Sequence, residues 1–182
     1  MKKKLLVISG PSGVGKGTVL KEVLKNRDDI KYSISCTTRK PREGEVNGQH
    51  YFFLEKDEFM KGVENNNFLE WAEFSGNCYG TSREFVQKML DDGYNVILEI
   101  ETQGAMQVKE KMPDCTMIFI APPSVEELER RLRGRNTETE DAIQRRLGIV
   151  KTELERSKKY DYIVVNDEVE KAALKILEII DA

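Results

Sequence analysis

The sequence predicts an α/β fold in which a parallel sheet is flanked by helices. Four short apolar runs, rich in β-branched residues, show no alternation of polar and apolar positions, which is typical of strands buried on both faces. Helical patterns fall between these runs, and strands that alternate with helices indicate the α/β class. The runs span residues 5–8, 95–100, 116–121 and 162–165, and the helical patterns span residues 16–26, 83–92, 103–112, 125–133 and 169–180.

The composition predicts one globular domain with a substantial core. Hydrophobic residues make up 39% of the 182 residues, and charged residues make up 34%. The net charge of −3 argues against a general nucleic-acid or membrane-surface binder, and the apolar run at 5–8 is too short for a signal peptide. Three scattered cysteines indicate a reducing cytoplasm. We expect a cytoplasmic monomer or homodimer without nucleic-acid or membrane partners.

A glycine-rich loop, "GPSGVGKGT", follows the first predicted strand and precedes the first predicted helix. It matches most of the G-x-x-x-x-G-K-[ST] pattern, in which backbone N–H groups surround a phosphate and a lysine neutralises its charge. Gly17 stands where the pattern has its Ser or Thr, and Thr18 follows one residue later. We expect nucleotide phosphates to bind Gly10, Pro11, Ser12, Gly13, Val14, Gly15, Lys16, Gly17 and Thr18.

The region from residue 33 to residue 79 breaks the rhythm of buried strands and helices. Polar and apolar residues alternate here, as in a half-exposed antiparallel sheet, and one short helical pattern lies at 56–64. A basic turn in this region, "TTRKPRE", is followed by tyrosines and a hydroxyl. Arginine forks and phenol hydroxyls together suit a phosphate group. The sequence therefore predicts a small lobe with a second phosphate site.

Five segments in order, "GPSGVGKGT", "SISCTTRKPREGE", "FLEWAEFSGNCYGTS", "ILEIETQGA" and "GRNTETEDAIQRRL", closely resemble the guanylate kinase family. This family phosphorylates GMP with ATP, and the resemblance covers about residues 5–170. It implies a P-loop kinase with ATP as phosphoryl donor, GMP as acceptor and Mg²⁺ as the metal. It also implies a core of residues 1–32, 83–124 and 148–182, a GMP-binding lobe of residues 33–82 and a helical lid of residues 125–147.

The same resemblance assigns the GMP ligands. Guanine presents N1–H and N2–H₂ donors beside an O6 acceptor, so carboxylates and hydroxyls match that edge, whereas adenine would leave a buried carboxylate facing a lone pair. The spacing of "FLEWAEF" alone does not choose between Glu70 and Glu73. The resemblance implies that Arg39, Arg42, Tyr51 and Tyr79 bind the GMP phosphate, and that Ser35, Glu70, Thr81 and Glu101 read the guanine.

Glu99 and Glu101 lie at the carboxyl end of the second apolar run. They face the same side of the predicted strand because they are two residues apart. In P-loop kinases an acid at this strand end supports the Mg²⁺ that bridges the phosphates. We expect Glu99 and Thr18 to organise the metal, partly through water. The family often has Asp at the positions of Glu99 and Glu101, so the division of labour between the two longer side chains stays open.

Six arginines crowd the lid, and several of them stand four residues after an acid, as in an ion-paired helix. That pairing does not account for Arg135 or Arg146. The resemblance implies that lid arginines neutralise charge on the transferring phosphoryl group. The expected catalytic residues are Lys16, Arg131, Arg135 and Arg146.

The segment "VVND" follows the last apolar run, where Asn166 either contacts adenine or, like Asp167, caps the next helix. Two other functions fit parts of the sequence: a guanylate-kinase-like module that binds phosphopeptides without catalysis, and a nucleoside monophosphate kinase for another base. The modules typically have a degraded phosphate loop, whereas this chain keeps Lys16 and the loop glycines. GTPases are excluded because the guanine-reading Asn-Lys-x-Asp is absent from the sequence.

Overall fold

The computed structural model describes residues 3–134 and 139–182, with Arg131 described by its backbone alone. The strands are β1 (Leu5–Ser9), β2 (Ile30–Tyr32), β3 (Cys36–Thr37), β4 (Phe52–Phe53), β5 (Phe68–Phe74), β6 (Asn77–Ser82), β7 (Asn95–Glu99), β8 (Thr116–Ala121) and β9 (Tyr162–Val165). The helices are α1 (Lys16–Leu24), α2 (Lys56–Glu64), α3 (Arg83–Asp91), α4 (Thr102–Lys111), α5 (Val125–Gly134), α6 (Glu140–Ser157) and α7 (Val169–Asp181).

A five-stranded parallel sheet forms the centre of the molecule, with the strand order β2-β7-β1-β8-β9. Every residue of β1 is buried. Apolar side chains from α1 and α7 cover one face of the sheet, and those from α3 and α4 cover the other. The predicted α/β class, with a parallel sheet between helices, is therefore confirmed.

The two edges of this sheet differ from the expectation of strands buried on both faces. The short edge strand β2 was not predicted, because Lys31 and Tyr32 are exposed and leave no apolar run. At the opposite edge β9 buries only Val164 well, while Ile163 and Val165 are about half exposed. An edge strand has a neighbour on one side only, so an apolar sequence does not guarantee its burial.

A second, four-stranded sheet has the order β4-β3-β6-β5 and is mixed, because β3 pairs with β4 in parallel and with β6 in antiparallel orientation. Its small core stacks Phe59 of α2 on Phe68 of β5, with ring centroids 4.3 Å apart. The register of β5 against β6 shifts between Phe68 and Glu70, which is a β-bulge. A small antiparallel or mixed sheet was expected in this region, and the parallel β3–β4 pair makes it mixed, whereas β6 was not recognised as a strand.

Helices α5 and α6 pack against each other through a separate apolar cluster that includes Leu128, Leu132 and Leu147. Arg133 ties the two helices together, because it donates to Glu129 of its own helix and to Glu140 of α6. Helix α6 has 18 residues and extends well beyond the predicted lid. Among the helices of the described residues, none combines the length and apolar character needed to cross a bilayer.

Candidate active site

The glycine-rich loop connects β1 to α1 at the carboxyl edge of the parallel sheet, which is where ligands bind in open α/β sheets. Gly15 has a left-handed φ of 92°, and a Cβ added there would lie 2.8 Å from the Asn166 amide nitrogen. A larger residue would therefore be strained in both backbone and packing. The loop ends where α1 begins at Lys16, so its backbone N–H groups adjoin the helix N-terminus, an arrangement that suits an anion.

Lys16 closes the loop on itself, since its Nζ donates to the carbonyl oxygen of Gly10 at 2.5 Å. Burial lowers the pKa of Lys16, and the negative charges of Glu99, Glu153 and Glu101 oppose that shift. The ammonium group therefore lies in a partly desolvated position, where it would interact strongly with an anion such as a phosphate.

Glu153 was not predicted as a site residue. It lies on α6, is 9% exposed, and shows a pKa raised by burial, an effect that the Lys16 charge opposes. The neighbouring Arg156 donates from Nη1 to Thr102 Oγ1 at 3.2 Å, which attaches α6 to the start of α4. The sequence does contain a signal that could have identified Glu153: it is an acid at helical spacing among positions of α6 that are buried, which include Leu147, Val150 and Ser157.

Glu99 ends β7 and is half-buried, while Thr18 lies exposed in the first turn of α1. The hydroxyl of Tyr32 donates to Glu99 Oε2 at 2.6 Å, a contact that sequence reasoning missed. A carboxylate and a hydroxyl are hard oxygen donors that suit Mg²⁺, which takes one or two carboxylates and keeps water and phosphate oxygens as its other ligands. Within the described residues no three His, Cys, Asp or Glu side chains cluster as a metal cage. The donors present therefore fit Mg²⁺ carried in with a nucleotide.

Helix α6, which begins in the segment expected to form the lid, contacts the glycine-rich loop through Arg146. Arg146 Nη1 donates to Ser12 Oγ at 3.0 Å, across 134 residues of sequence. Arg131 lies in α5, and only its backbone position is described; Arg135 lies outside the described residues. Of the three expected lid arginines, Arg146 is the one whose side chain the structure describes, and it contacts the glycine-rich loop.

The basic turn is held in place by the threonines before it. Thr37 Oγ1 accepts from the backbone N–H of Arg39 at 3.2 Å and donates to the Cys78 carbonyl of β6 at 3.0 Å. The Arg39 guanidinium donates two hydrogen bonds, of 2.9 and 2.8 Å, to the carboxylate of Glu45. Glu45 also accepts from the backbone N–H of Arg42 at 2.7 Å. A phosphate would accept from an arginine fork in the same two-pronged geometry.

The two tyrosines expected beside this turn lie close to it. The Tyr51 and Tyr79 rings are 6.2 Å apart in an edge-to-face arrangement, and the Arg39 guanidinium carbon lies 5.4 Å from the Tyr51 ring centroid. Hydrogen bonding to Arg39 holds the pKa of the Glu45 carboxyl down at about 2, so this acid is ionised at neutral pH. Arg39, Tyr51 and Tyr79 therefore form one cluster, and Glu45 is a member that sequence reasoning did not include.

Glu70 is buried at 7% exposure, whereas Glu73 on the same strand is exposed. Thr81 Oγ1 donates to Glu70 Oε1 at 2.6 Å. Burial raises the pKa of Glu70, with the Thr81 hydrogen bond acting in the opposite direction. A Cβ on Gly104 of α4 would lie 2.8 Å from Glu70 Oε2, so the glycine permits the close packing of this carboxylate on the helix.

The other two residues expected to bind the guanine base, Glu101 and Ser35, lie at the start of α4 and directly before β3. Glu101 is the N-cap residue of α4, three residues before Gly104, and its negative charge acts on Glu70. Ser35 is half-buried just before β3, and its carbonyl accepts from the Phe52 N–H at 2.9 Å. The buried Glu70–Thr81 pair thus has a second acid near it.

Asn166 is 4% exposed, and its amide nitrogen donates to the Val14 carbonyl of the phosphate loop at 2.7 Å. The N-cap residue of α7 is Glu168, so the capping role weighed for Asn166 and Asp167 is wrong. Asn166 therefore holds the glycine-rich loop through this hydrogen bond, a role that the sequence did not indicate. Its expected contact with adenine stays a prediction.

The phosphate loop, the acid at the end of β7 and a separate lobe with an arginine fork define a P-loop phosphotransferase. The guanylate kinase family model matches residues 2–182. A guanylate kinase from Bacillus cereus is 55% identical over 177 residues, covering 97% of this chain and 86% of the relative. A guanylate kinase from Prochlorococcus marinus is 49% identical over 172 residues, covering 94% of this chain and 92% of the relative.

A solved structure agrees with these sequence comparisons. The crystal structure of guanylate kinase from Anaplasma phagocytophilum superposes with a TM-score of 0.74 at 36% identity, covering 98% of this chain and 85% of that one. The chain belongs to the guanylate kinase family.

Proposed function

We propose that the phosphate loop of this chain holds ATP, that residues 33–82 hold GMP, and that the γ-phosphoryl group passes between them to give ADP and GDP. As a member of the family, the chain is an ATP:GMP phosphotransferase that uses ATP and Mg²⁺. The observation that carries the assignment of the acceptor site is the buried Glu70–Thr81 pair, which lies where β5 and β6 face α4. A buried carboxylate with a raised pKa is typical of a functional site.

On the donor side, phosphate oxygens replace the loop carbonyls as partners of the Lys16 ammonium group. The N–H groups of residues 10–18 and the N-terminus of α1 hold the remaining phosphate charge. Glu99 and Thr18 orient the metal, directly or through water, and Mg²⁺ supplies charge neutralisation between the phosphates. Asn166 borders the adenine.

On the acceptor side, the GMP phosphate takes the place of the Glu45 carboxylate on Arg39. Arg42, Tyr51 and Tyr79 contribute further hydrogen bonds to it. In the base site, Glu70 accepts from guanine N1–H and N2–H₂, and the Ser35 hydroxyl donates to O6. The Thr81 hydroxyl, which donates to Glu70 in the structure, turns to donate to O6 when GMP binds. Glu101 borders the base from the start of α4.

The lid residues 125–147 close over the phosphoryl group and bring in Arg131, Arg135 and Arg146. The contact of Arg146 with Ser12 supports this, because it already joins the lid to the loop. Closure of lobe and lid excludes water, which strengthens every charge interaction in the site. This reaction depends on positioning and electrostatics, so a dedicated base is not required.

The test is turnover of ATP with each of GMP, AMP, CMP and UMP, followed by ADP release. Strong preference for GMP is expected, and comparable rates with AMP would contradict the base site. A phosphopeptide-binding module would show no ADP release with any of them. We also propose that the enzyme is cytoplasmic, since Cys36, Cys78 and Cys115 are buried free thiols. A measurement of its mass in solution distinguishes a monomer from a homodimer.

A further inference from the structure

The hydrogen bond between Tyr32 and Glu99 joins the carboxyl ends of two neighbouring strands. Tyr32 is the last residue of β2 and pairs in register with Ile97 of β7. Glu99 lies two residues beyond Ile97 and therefore on the same face of the sheet. The phenol thus reaches diagonally across to the carboxylate, and its oxygen lies 2.6 Å from Glu99 Oε2. This length is typical of a strong hydrogen bond to an ionised acceptor.

This contact has a consequence for the acid itself. A glutamate has one more rotatable bond than an aspartate, so its carboxylate samples a larger volume unless something holds it. The Tyr32 hydroxyl donates to Oε2, so Oε1 is the carboxylate oxygen that this contact does not use.

We infer that Tyr32 is a positioning residue: its hydroxyl fixes the Glu99 carboxylate so that one oxygen faces the metal that accompanies ATP. The inference rests on the proposed metal role of Glu99. Tyr32 acts through Glu99 and needs no contact with the nucleotide. The longer acid and the tyrosine then work as one unit, in which the phenol supplies the rigidity that the extra methylene removes.

The test is ATP binding by calorimetry without GMP, once with Mg²⁺ and once with EDTA. Replacing an outer partner of a metal ligand typically costs 10–100-fold in metal affinity, and the lower end applies to a half-exposed group. Tyr32→Phe should weaken ATP binding about 10-fold in Mg²⁺ and leave binding in EDTA unchanged. Tyr162→Phe is the matched control, because Tyr162 lies on the opposite edge of the same sheet at 44% exposure, against 42% for Tyr32.

A double-mutant cycle separates positioning from a general loss of structure. Asp at position 99 is one methylene shorter and loses the reach to the phenol, so Tyr32→Phe should have no further effect in the Glu99→Asp protein. Additive losses, or an equal loss with Mg²⁺ and with EDTA, would overturn the inference. If Glu99→Gln keeps the wild-type Mg²⁺ dependence, the metal role of Glu99 fails and the inference fails with it. If Glu99→Gln loses that dependence and Tyr32→Phe does not, only the inference fails.

Discussion

Replacing Glu70 by Gln changes one buried atom of the proposed guanine site and little else. Gln has nearly the same shape, so the packing on Gly104 is kept, and one amide oxygen can still accept from Thr81. The other carboxylate oxygen becomes an NH₂ group, which donates where guanine also donates. GMP binding therefore meets an unmatched donor pair at 7% exposure, where water offers little compensation.

The size of the effect follows from that mismatch. A buried polar group left unmatched costs roughly 1–3 kcal/mol, which corresponds to a fall of about 5- to 150-fold in kcat/KM for GMP. AMP should lose less, because its N1 is an acceptor that can take a hydrogen bond from the new amide. The assay is kcat/KM for GMP and AMP in the wild type, in Glu70→Gln and in Glu73→Gln. Glu73 is the matched control, since it lies exposed on the same strand.

The same substitution, which should lower activity towards GMP, should raise the stability of the folded protein at neutral and alkaline pH. Burial raises the folded-state pKa of Glu70, so its contribution to stability is present below the unfolded pKa and is lost as pH rises through the folded value. Gln carries no proton to lose. Glu70→Gln without ligands should therefore unfold at a higher temperature than the wild type near pH 8, and the gap should close towards about pH 4. Equal loss of GMP and AMP turnover, together with lowered stability at both pH values, would show that Glu70 is structural.

Three further predictions concern the loop, the lid and their motion. Lys16→Ala should lower kcat by about 10²–10³-fold without changing the circular dichroism spectrum, because it removes charge from the phosphate site and not from the core; retained activity would refute the loop assignment. Arg146→Ala should lower kcat by about 10²-fold. Arg145 is an exposed neighbour on the same helix, so Arg145→Ala should leave kcat unchanged, and equal effects of the two substitutions would show that Arg146 does not act in the site. ATP and GMP together should protect residues 33–82 and 125–147 in hydrogen exchange more than the parallel sheet, and unchanged protection would contradict closure.

The pattern of apolar runs was enough to predict the central sheet, because β1, β7 and β8 lie inside it and bury nearly all their side chains. At the edges the pattern missed β2, and it predicted β9 with its correct bounds but not its exposure. Neither the exposed strand β2 nor the half-exposed β9 follows the rule for a buried strand. The register shift in β5 likewise explains why the alternation around Glu70 was imperfect, since a bulge puts neighbouring residues on one side.

The sequence by itself determined the phosphate loop, because its glycines, its lysine and the helix that follows are contiguous and their geometry is local. The basic turn is local for the same reason. The tertiary structure alone decided which acids face the site: Glu70 and not Glu73 is buried, Glu153 comes near Lys16, and Tyr32 bonds to Glu99 across 67 residues. Such contacts join different elements, and a chain pattern specifies the face of a strand or helix but not which side chain of another element will lie opposite it.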